Sequence, residues 1–264
     1  EEALRGKLDG YKKHNKVKIK NKGKMIMTTE EKKKQLINEK NHDFNSLRML
    51  TEVLRGKGGC PWDMEQTHES IRNDIIEETY EVVEAIDNSD AELLREELGD
   101  VLFQVMFHSR IEEEAGRFSI DDVINEVCEK MISRHPHVFG DVKVSGSGDV
   151  LDNWEMIKKA EKDRKTVKEN MQSVPKQLPS LMRTRKVVKK AKKDGFDFAV
   201  TEDDIISLAE KLKTAQGDER EELITDIVFN SVVLADGADI EKHLGEKTDE
   251  FINDYKDKGV NNET

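Results

Sequence analysis

Acidic side chains that could bind a metal ion or transfer a proton are concentrated in one segment, "IIEETYEVVEAI" (75–86). It places Glu77, Glu78, Glu81 and Glu84 within two turns of one predicted helix. On an exposed helix, like charges three and four residues apart repel by roughly 0.2–0.5 kcal/mol per pair. A bound cation would relieve this repulsion. The segment is therefore either a solvated acidic face or part of a metal site.

A second acidic segment, "EELGD" (96–100), lies on a helix that the sequence predicts to be buried. Its middle, "VLFQVMF" (101–107), is apolar nearly all the way round, which is typical of a buried helix. One side of this helix carries a polar stripe of Glu97, Asp100, Gln104 and His108. Buried carboxylates without a partner are costly or change their pKa. Glu97 and Asp100, three residues apart, therefore indicate a shared cation.

Two helices must position these acids. Thr67 is the predicted N-cap of the first, which runs to about Asp87, and Asp90 and Gly116 are the predicted start and end signals of the second. Steps of 100° per residue place the apolar residues of the first helix on one side. That side contains Ile75, Ile76, Thr79, Val82, Val83 and Ile86. Glu77, Glu81 and Glu84 lie opposite, and Glu78 lies at the edge.

The short turn "DNSD" (87–90) favours antiparallel packing of the two helices. This packing would bring Glu78, Glu81, Glu97 and Asp100 to one point. Carboxylate oxygens without His or Cys suit a hard ion such as Mg²⁺ or Mn²⁺. A solvated acidic face remains the simpler reading of "EETYE" alone, but the pair of acidic segments favours a metal site.

Fixed positive charge is the second requirement if the metal serves to bind phosphates. Lys130 and Arg134 are four residues apart on the next predicted helix and share one face of it. This pattern is common and is weak evidence alone, but it follows directly after the acids. His135 and His137 could also contact a phosphate, although histidines beside a proline in a loop are more often structural.

Four segments together resemble the MazG family of nucleoside triphosphate pyrophosphohydrolases. They are "GGCPWDMEQTH", "EETYEVVEAI", "EELGDVLFQVMFHSRI" and "RHPHVFGD". The resemblance runs from about residue 44 to 198 and includes "NWEMIKKAEK" and "LPSLMR…GFDF". It implies an all-α fold that dimerises to complete its helical bundles. It also implies Mg²⁺-dependent hydrolysis of nucleoside triphosphates to the monophosphate and pyrophosphate, by water attack at the α-phosphorus.

The resemblance also implies roles for individual residues. The family's EExxE and ExxD motifs fall on the two acidic segments, which makes Glu78, Glu81, Glu97 and Asp100 the metal ligands. Glu77 lies beside them, and Glu77 or Glu81 could take a proton from the attacking water. Lys130 and Arg134 match basic positions that the family uses toward the phosphates. Trp62 or Trp154 could stack on a base, with core packing as the alternative for each.

We predict four regions in the chain. Residues 1–42 are a Lys-rich tail or linker, 43–145 the MazG-like catalytic helical domain, 146–200 a Lys-rich helical connector, and 201–264 a degenerate second MazG-like unit. The first residue is Glu, so a longer protein with an upstream domain is compatible with the sequence.

The degenerate unit is proposed from an alignment of "EELITDIVFNSVVLADG" with the second acidic helix, in which Asp226 corresponds to Asp100. Leu223 then replaces Glu97. With a shorter connection, Ser207, Leu208 and Lys211 replace Glu77, Glu78 and Glu81, and Glu250 and Asp254 replace Lys130 and Arg134. We expect this unit to be structural.

Composition limits the partners and the compartment. Lys and Arg number 44 against 56 Asp and Glu, which gives a net charge of −12 and argues against a general nucleic-acid binder. No apolar run approaches the ~20 residues of a membrane span. Cys60 and Cys128 lack metal-ligand spacing, so we interpret them as reduced thiols of a cytoplasmic protein.

Two other functions remain open from the sequence. A di-iron carboxylate bundle needs a Glu-x-x-His from each of two helices, and "EQTH" (65–68) supplies one. A non-catalytic helical interaction or regulatory module could also keep this fold. Base and sugar preference cannot be read from the residues.

Overall fold

The computed structural model describes residues 27–161 and 166–259. All the regular secondary structure within these ranges is helical. The helices are α1 (Thr29–Asn38), α2 (Phe44–Arg55), α3 (Pro61–Glu65), α4 (Asp74–Asp87), α5 (Ala91–Glu114), α6 (Ile120–Arg134), α7 (Pro136–Phe139), α8 (Ser147–Glu161), α9 (Val167–Gln172), α10 (Ser180–Lys193), α11 (Glu202–Leu212), α12 (Gly217–Leu234) and α13 (Ile240–Gly259). The predicted all-α fold is confirmed. In the described ranges, none of these helices has the length and apolar composition needed to cross a membrane.

The chain divides into two compact units after Phe139. In the first unit, α4 and α5 form the most extensively packed helix pair, and α2 and α6 both pack against α5. Met106 and Phe107 of α5 are almost fully buried, together with Ile71, Ala85 and Val53. The helix that carries Glu97 is therefore the central helix of this unit, as its apolar middle predicts.

The bounds of α5 follow from its terminal residues. The Asp90 side chain accepts hydrogen bonds from the backbone N–H groups of Glu92 and Leu93, each at 3.0 Å, which satisfies two donors at the helix start. After the last turn, Gly116 adopts a positive φ of 68°, a conformation that favours glycine. The predicted start and end signals of this helix are both confirmed.

The predicted start of α4 at Thr67 is wrong. Residues 67–73 form turns, in which the Thr67 N–H donates to Ser70 Oγ at 2.9 Å and the Ser70 hydroxyl donates to Gln66 at 2.8 Å. The helix begins only at Asp74, and its N-cap, Asn73, makes no capping hydrogen bond through its side chain. The hydroxyl of Ser70 competes with helical hydrogen bonding at this point.

The side of α4 that packs on α5 is not centred on its apolar residues. It centres on Ala85, the one described residue of α4 that is fully buried, and it includes the half-buried Glu78 and Val82. Ile76, Val83 and Ile86 of the apolar side are exposed. The period of the apolar residues is helical, as predicted, but within this chain the broad apolar side of α4 is left largely uncovered.

The prediction that residues 1–42 form a tail or linker needs a correction. Residues 1–26 lie outside the described part of the chain, but Thr29–Asn38 form α1, which packs on α2. A capping box starts α1, because Thr28 and Glu31 satisfy each other's backbone N–H groups. Lys32 then pairs with Glu52 of α2, and the Lys33 ammonium donates to the Gly58 carbonyl at 3.0 Å. Polar contacts hold α1 in place, and none of its residues is buried, so its sequence shows no apolar periodicity.

The second unit is built around another helix pair, α11 and α12. The basic helix α10 packs on both α12 and α13, and α9 packs on α10. The core includes Val188 and Ala191 of α10 with Val232 and Val233 of α12. The Lys-rich region predicted as a connector thus contributes core residues to this unit. The predicted limits of the four regions stay predictions.

Candidate metal centre

Three glutamates from α4 and α5 converge in the first unit. Glu78 and Glu81 lie on the side of α4 that faces α5, and Glu97 lies in the second turn of α5 with 7% of its surface exposed. One carboxylate oxygen from each of the three lies within 4.8 Å of the other two. We call this group the glutamate trio. The two helices therefore bring the acidic segments together as the sequence predicts.

The three carboxylates of the trio repel one another. Burial raises the pKa of the Glu78 carboxyl, and the negative charges of Asp100 and Glu81 raise it further. Burial likewise raises the pKa of Glu97, and the neighbouring Glu81 carboxylate adds to the effect. A raised carboxyl pKa means that the group gains from a proton or a cation at its oxygens. Three closely spaced oxygen donors with this charge fit a hard divalent cation.

Asp100, the fourth predicted ligand, does not join the trio. Its residue is exposed, and it is not among the residues whose oxygens meet within 4.8 Å. Its charge nevertheless raises the pKa of both Glu78 and Glu97, so it borders the same site. Glu77 is exposed and also lies outside the trio. Of the acids predicted for the site, three are brought together and two lie outside that group.

The predicted phosphate-binding residues differ in their surroundings. Lys130 is exposed on α6, whereas Arg134, one turn later in the same helix, is buried with 8% of its surface accessible. The two residues therefore do not form one exposed basic face. Beside them, a ring nitrogen of His135 lies 2.5 Å from the Met131 carbonyl oxygen, in agreement with the structural interpretation of this histidine.

Trp62 is 60% exposed on α3, so core packing is not its role in this chain. The loop around α3 is anchored by Arg55, whose guanidinium donates to the carbonyls of Asp63 at 2.6 Å and Gln66 at 3.0 Å. The same guanidinium lies 5.1 Å from the Phe107 ring centre, in a cation–π contact. An ordered loop thus presents the indole at the surface.

A histidine network that the sequence did not predict joins His68, in the segment before α4, to His108 and Glu112 of α5. One ring nitrogen of His68, Nδ1, lies 2.7 Å from Nδ1 of His108, and the other, Nε2, lies 2.5 Å from a Glu112 carboxylate oxygen. The two imidazole planes are nearly parallel, 10° apart, with ring centres 5.0 Å apart, so the rings meet edge to edge through these nitrogens. Arg117 donates to both Glu112 oxygens, at 2.5 and 2.6 Å. The signal available in the sequence was the spacing of Gln104, His108 and Glu112, which continues the polar stripe at intervals of four residues.

The Arg117 guanidinium keeps the Glu112 carboxyl ionised at one end of this network. Hydrogen bonding to Arg117 holds the pKa of Glu112 at about 2, even though burial of the carboxylate opposes that effect. Burial lowers the pKa of His108, and the adjacent His68 lowers it further. Glu112 is therefore a permanent acceptor at neutral pH.

The di-iron alternative loses its histidine ligand in this geometry. The potential metal group found among the described residues contains three glutamates and no histidine. His68, from the "EQTH" segment, is instead directed at His108 and Glu112. The donor set therefore favours a hard cation over iron.

The second unit has a cavity where the sequence predicts the degenerate site. The cavity has a volume of about 400 Å³ and is lined by Ala199, Val200, Asp204, Ser207, Leu208, Lys211, Asp226 and Asn230. Four of these are residues that the alignment sets against the acids of the first unit: Ser207, Leu208, Lys211 and Asp226. Among the residues that the structure describes here, no trio of metal-ligating side chains meets as in the first unit. Lys211 places a fixed cation where a carboxylate would be needed.

The fold and the site together define an all-α protein with a cluster of three glutamates between two packed helices. The model of the MazG nucleotide pyrophosphohydrolase domain matches residues 66–139, the stretch that contains the trio. The nucleoside triphosphate pyrophosphohydrolase/pyrophosphatase MazG of Thermotoga maritima is 39% identical over 219 residues, which cover 81% of this chain and 84% of that protein. The nucleoside triphosphate pyrophosphohydrolase of Escherichia coli K12 is 37% identical, over 76% of this chain and 79% of its own length.

The chain belongs to the MazG family of hydrolases. A third relative, the protein named YabN of Bacillus subtilis, is 53% identical over 148 residues. That match covers 56% of this chain but only 30% of YabN, so the chain spans less than a third of that longer protein.

Proposed function

We propose that this protein hydrolyses nucleoside triphosphates to nucleoside monophosphates and pyrophosphate with Mg²⁺, for which Mn²⁺ can substitute. The observation that carries the proposal is the glutamate trio, three mutually repelling carboxylates that form the start of an oxygen-ligand site. Two relatives that align with most of the chain are named for this activity. A cytoplasmic location is part of the proposal, because nucleoside triphosphates are found there.

Glu78, Glu81 and Glu97 would hold the cation, and Asp100 at the border of the site could complete its ligands. A bound divalent cation supplies positive charge that polarises the phosphates and offsets the charge that develops during hydrolysis. Glu77 or a free oxygen of Glu81 would accept the proton of the attacking water. Attack at the α-phosphorus would then release pyrophosphate.

The rest of the substrate would meet two further groups. The exposed Lys130 ammonium would approach the phosphates, and Arg134, one turn later on α6, is the second basic residue proposed for this contact. The exposed Trp62 indole offers a flat surface on which a base could stack. Stacking tolerates every base, so this contact alone predicts broad base preference.

We propose a homodimer, because α4 and α5 expose large apolar side chains. Those of α4 are Ile76, Tyr80, Val83 and Ile86, and those of α5 are Leu98 and Leu102. Contiguous apolar surface on folded proteins commonly marks an interface. Sedimentation equilibrium of the wild type and of Tyr80→Glu tests this proposal. The wild type should sediment as a dimer and the variant as a monomer, and a monomeric wild type would contradict it.

The alternative is a non-catalytic interaction or regulatory module. It fits the second unit, where Leu223 and Lys211 replace acids, but not the first unit, where the trio is complete. Product analysis distinguishes the two functions. The chain should convert ATP or dATP to the monophosphate and pyrophosphate with Mg²⁺ present and not with EDTA. Release of the diphosphate and inorganic phosphate, or no product at all, would contradict the proposal.

A further inference from the structure

Glu78 and Glu81 can meet Glu97 only if α4 keeps one position along α5. At the C-terminal end of α4 this position is set by the short turn to Asp90, which caps α5. At the N-terminal end, Asn73 provides no side-chain cap. The alignment of this end therefore depends on how residues 66–73, just before α4, are attached to the rest of the unit.

His68 provides that attachment. It lies six residues before α4, and both of its ring nitrogens contact side chains of the C-terminal half of α5. Ile71, buried with 3% exposure, fixes the same segment in the core. We propose that the chain Arg117–Glu112–His68–His108 is a positioning device that holds the start of α4 against α5 and so aligns Glu78 and Glu81 with Glu97. This inference rests on the proposed function of the trio.

Each hydrogen bond in the network of Arg117, Glu112, His68 and His108 can be assigned one donor and one acceptor. Glu112 is anionic and already accepts from Arg117, so His68 must donate to it through Nε2–H. In neutral His68, Nδ1 is then an acceptor, and His108 donates to it through Nδ1–H. A single orientation of His68 satisfies both contacts at once. The ring therefore fixes the distance between its backbone and two turns of α5.

The network does not suit a metal ion. His68 directs its two nitrogens at different partners, so one cation cannot be bound by the two histidines and Glu112 together. The Arg117 guanidinium occupies both Glu112 oxygens and would repel a cation there. These residues therefore form a hydrogen-bonded connection between the segment before α4 and α5, and not a second metal site.

The network is also too far from the trio to touch the reacting atoms. His108 follows Glu97, the member of the trio on the same helix, by 11 residues, which is about 16.5 Å along an α-helix. Its effect on the metal site must therefore pass through the position of α4. Groups that orient metal ligands indirectly typically change metal affinity or activity by 10–100-fold when they are removed.

The test uses Mn²⁺ affinity, measured by electron paramagnetic resonance, together with steady-state kinetics and melting temperature. His68→Ala should weaken Mn²⁺ binding and lower kcat about 10-fold or more, with little change in KM, because the substrate groups on α3 and α6 are untouched. His68→Gln keeps a donor toward Glu112 and should recover part of the loss. His243→Ala is the matched control, because His243 also contacts a glutamate, Glu246, but in the second unit.

A double-variant cycle separates positioning from general stabilisation. If His68 and Glu112 act through one chain, His68→Ala combined with Glu112→Gln should be no worse than the more severe single variant. Additive losses, or unchanged Mn²⁺ affinity in folded His68→Ala and His68→Gln, would overturn the inference. If the wild type binds Mn²⁺ and the variants match it in Mn²⁺ affinity and kcat, only the positioning role is overturned. A wild type that neither binds Mn²⁺ nor releases pyrophosphate overturns the proposed function.

Discussion

Glu78→Gln should change the stability of the protein in opposite directions with and without Mg²⁺. In EDTA at neutral pH, the variant should melt higher than the wild type, because it removes one of three repelling charges. The folded-state pKa of Glu78 is raised above its ordinary value of 4.5. Its destabilising effect is therefore present above that raised pKa and disappears below about pH 4.5, where the carboxyl is protonated in both states.

With Mg²⁺ the order should reverse. A ligand at about 100 times its Kd stabilises the folded state by roughly 2.7 kcal/mol. For a unit of this size, 1 kcal/mol corresponds to roughly 4 °C in Tm, so the wild type should gain about 10 °C. If loss of the Glu78 charge weakens Mg²⁺ binding about 100-fold, the same Mg²⁺ concentration gives roughly 0.4 kcal/mol, or about 2 °C.

Thermal unfolding followed by circular dichroism in EDTA and in Mg²⁺ measures both effects. Glu84→Gln is the matched control, because Glu84 is exposed on the same helix and lies outside the trio. This control should gain as much from Mg²⁺ as the wild type does. An unchanged wild-type Tm in Mg²⁺, or an equal gain for Glu78→Gln and Glu84→Gln, would show that Glu78 does not hold the cation.

Four further predictions concern other parts of the chain. Asp226→Asn should leave kcat unchanged, because the second unit lacks a trio; loss of turnover in a folded variant would place activity there. Lys130→Ala should raise the KM for nucleoside triphosphate at least several-fold in steady-state assays, and an unchanged KM would make this lysine a solvated surface residue. Deletion of residues 1–42 should lower Tm by an amount equivalent to about 1 kcal/mol relative to deletion of 1–26, because only the longer deletion removes α1 and its ion pair with α2; equal melting would show that α1 adds nothing. Glu112→Gln should be less stable than the wild type above pH 4.5, with the difference vanishing as pH falls toward 2, since the folded-state pKa is about 2; urea unfolding at several pH values measures this, and a difference independent of pH would contradict it.

Local signals predicted the central helix of the site well. The two ends of α5 could be predicted from Asp90 and Gly116, because a capping side chain and a positive φ are properties of single residues. The convergence of Glu78, Glu81 and Glu97 also follows from local information, because a short turn forces consecutive helices to pack antiparallel.

The features that the sequence did not reveal depend on contacts between distant residues. His68 and Glu112 are 44 residues apart, and no periodic pattern links them. The exposure of the apolar side of α4 could not be predicted, because a helical wheel shows which side is apolar but not what covers it. The place of Asp100 outside the trio was not predicted, because spacing gives the side of a helix but not the distances between side-chain oxygens. Its role as a metal ligand stays a prediction. The start of α1 could have been found, since Thr28 and Glu31 have the spacing of a capping box.

In the proposed mechanism, Glu78, Glu81 and Glu97 hold the divalent cation that hydrolysis requires. Anomalous diffraction from crystals grown with Mn²⁺ and a non-hydrolysable nucleoside triphosphate analogue tests this assignment. We expect a Mn²⁺ peak bound by oxygens of all three glutamates and in contact with the phosphates of the analogue. Manganese bound elsewhere, or an analogue seated away from the trio, would contradict it.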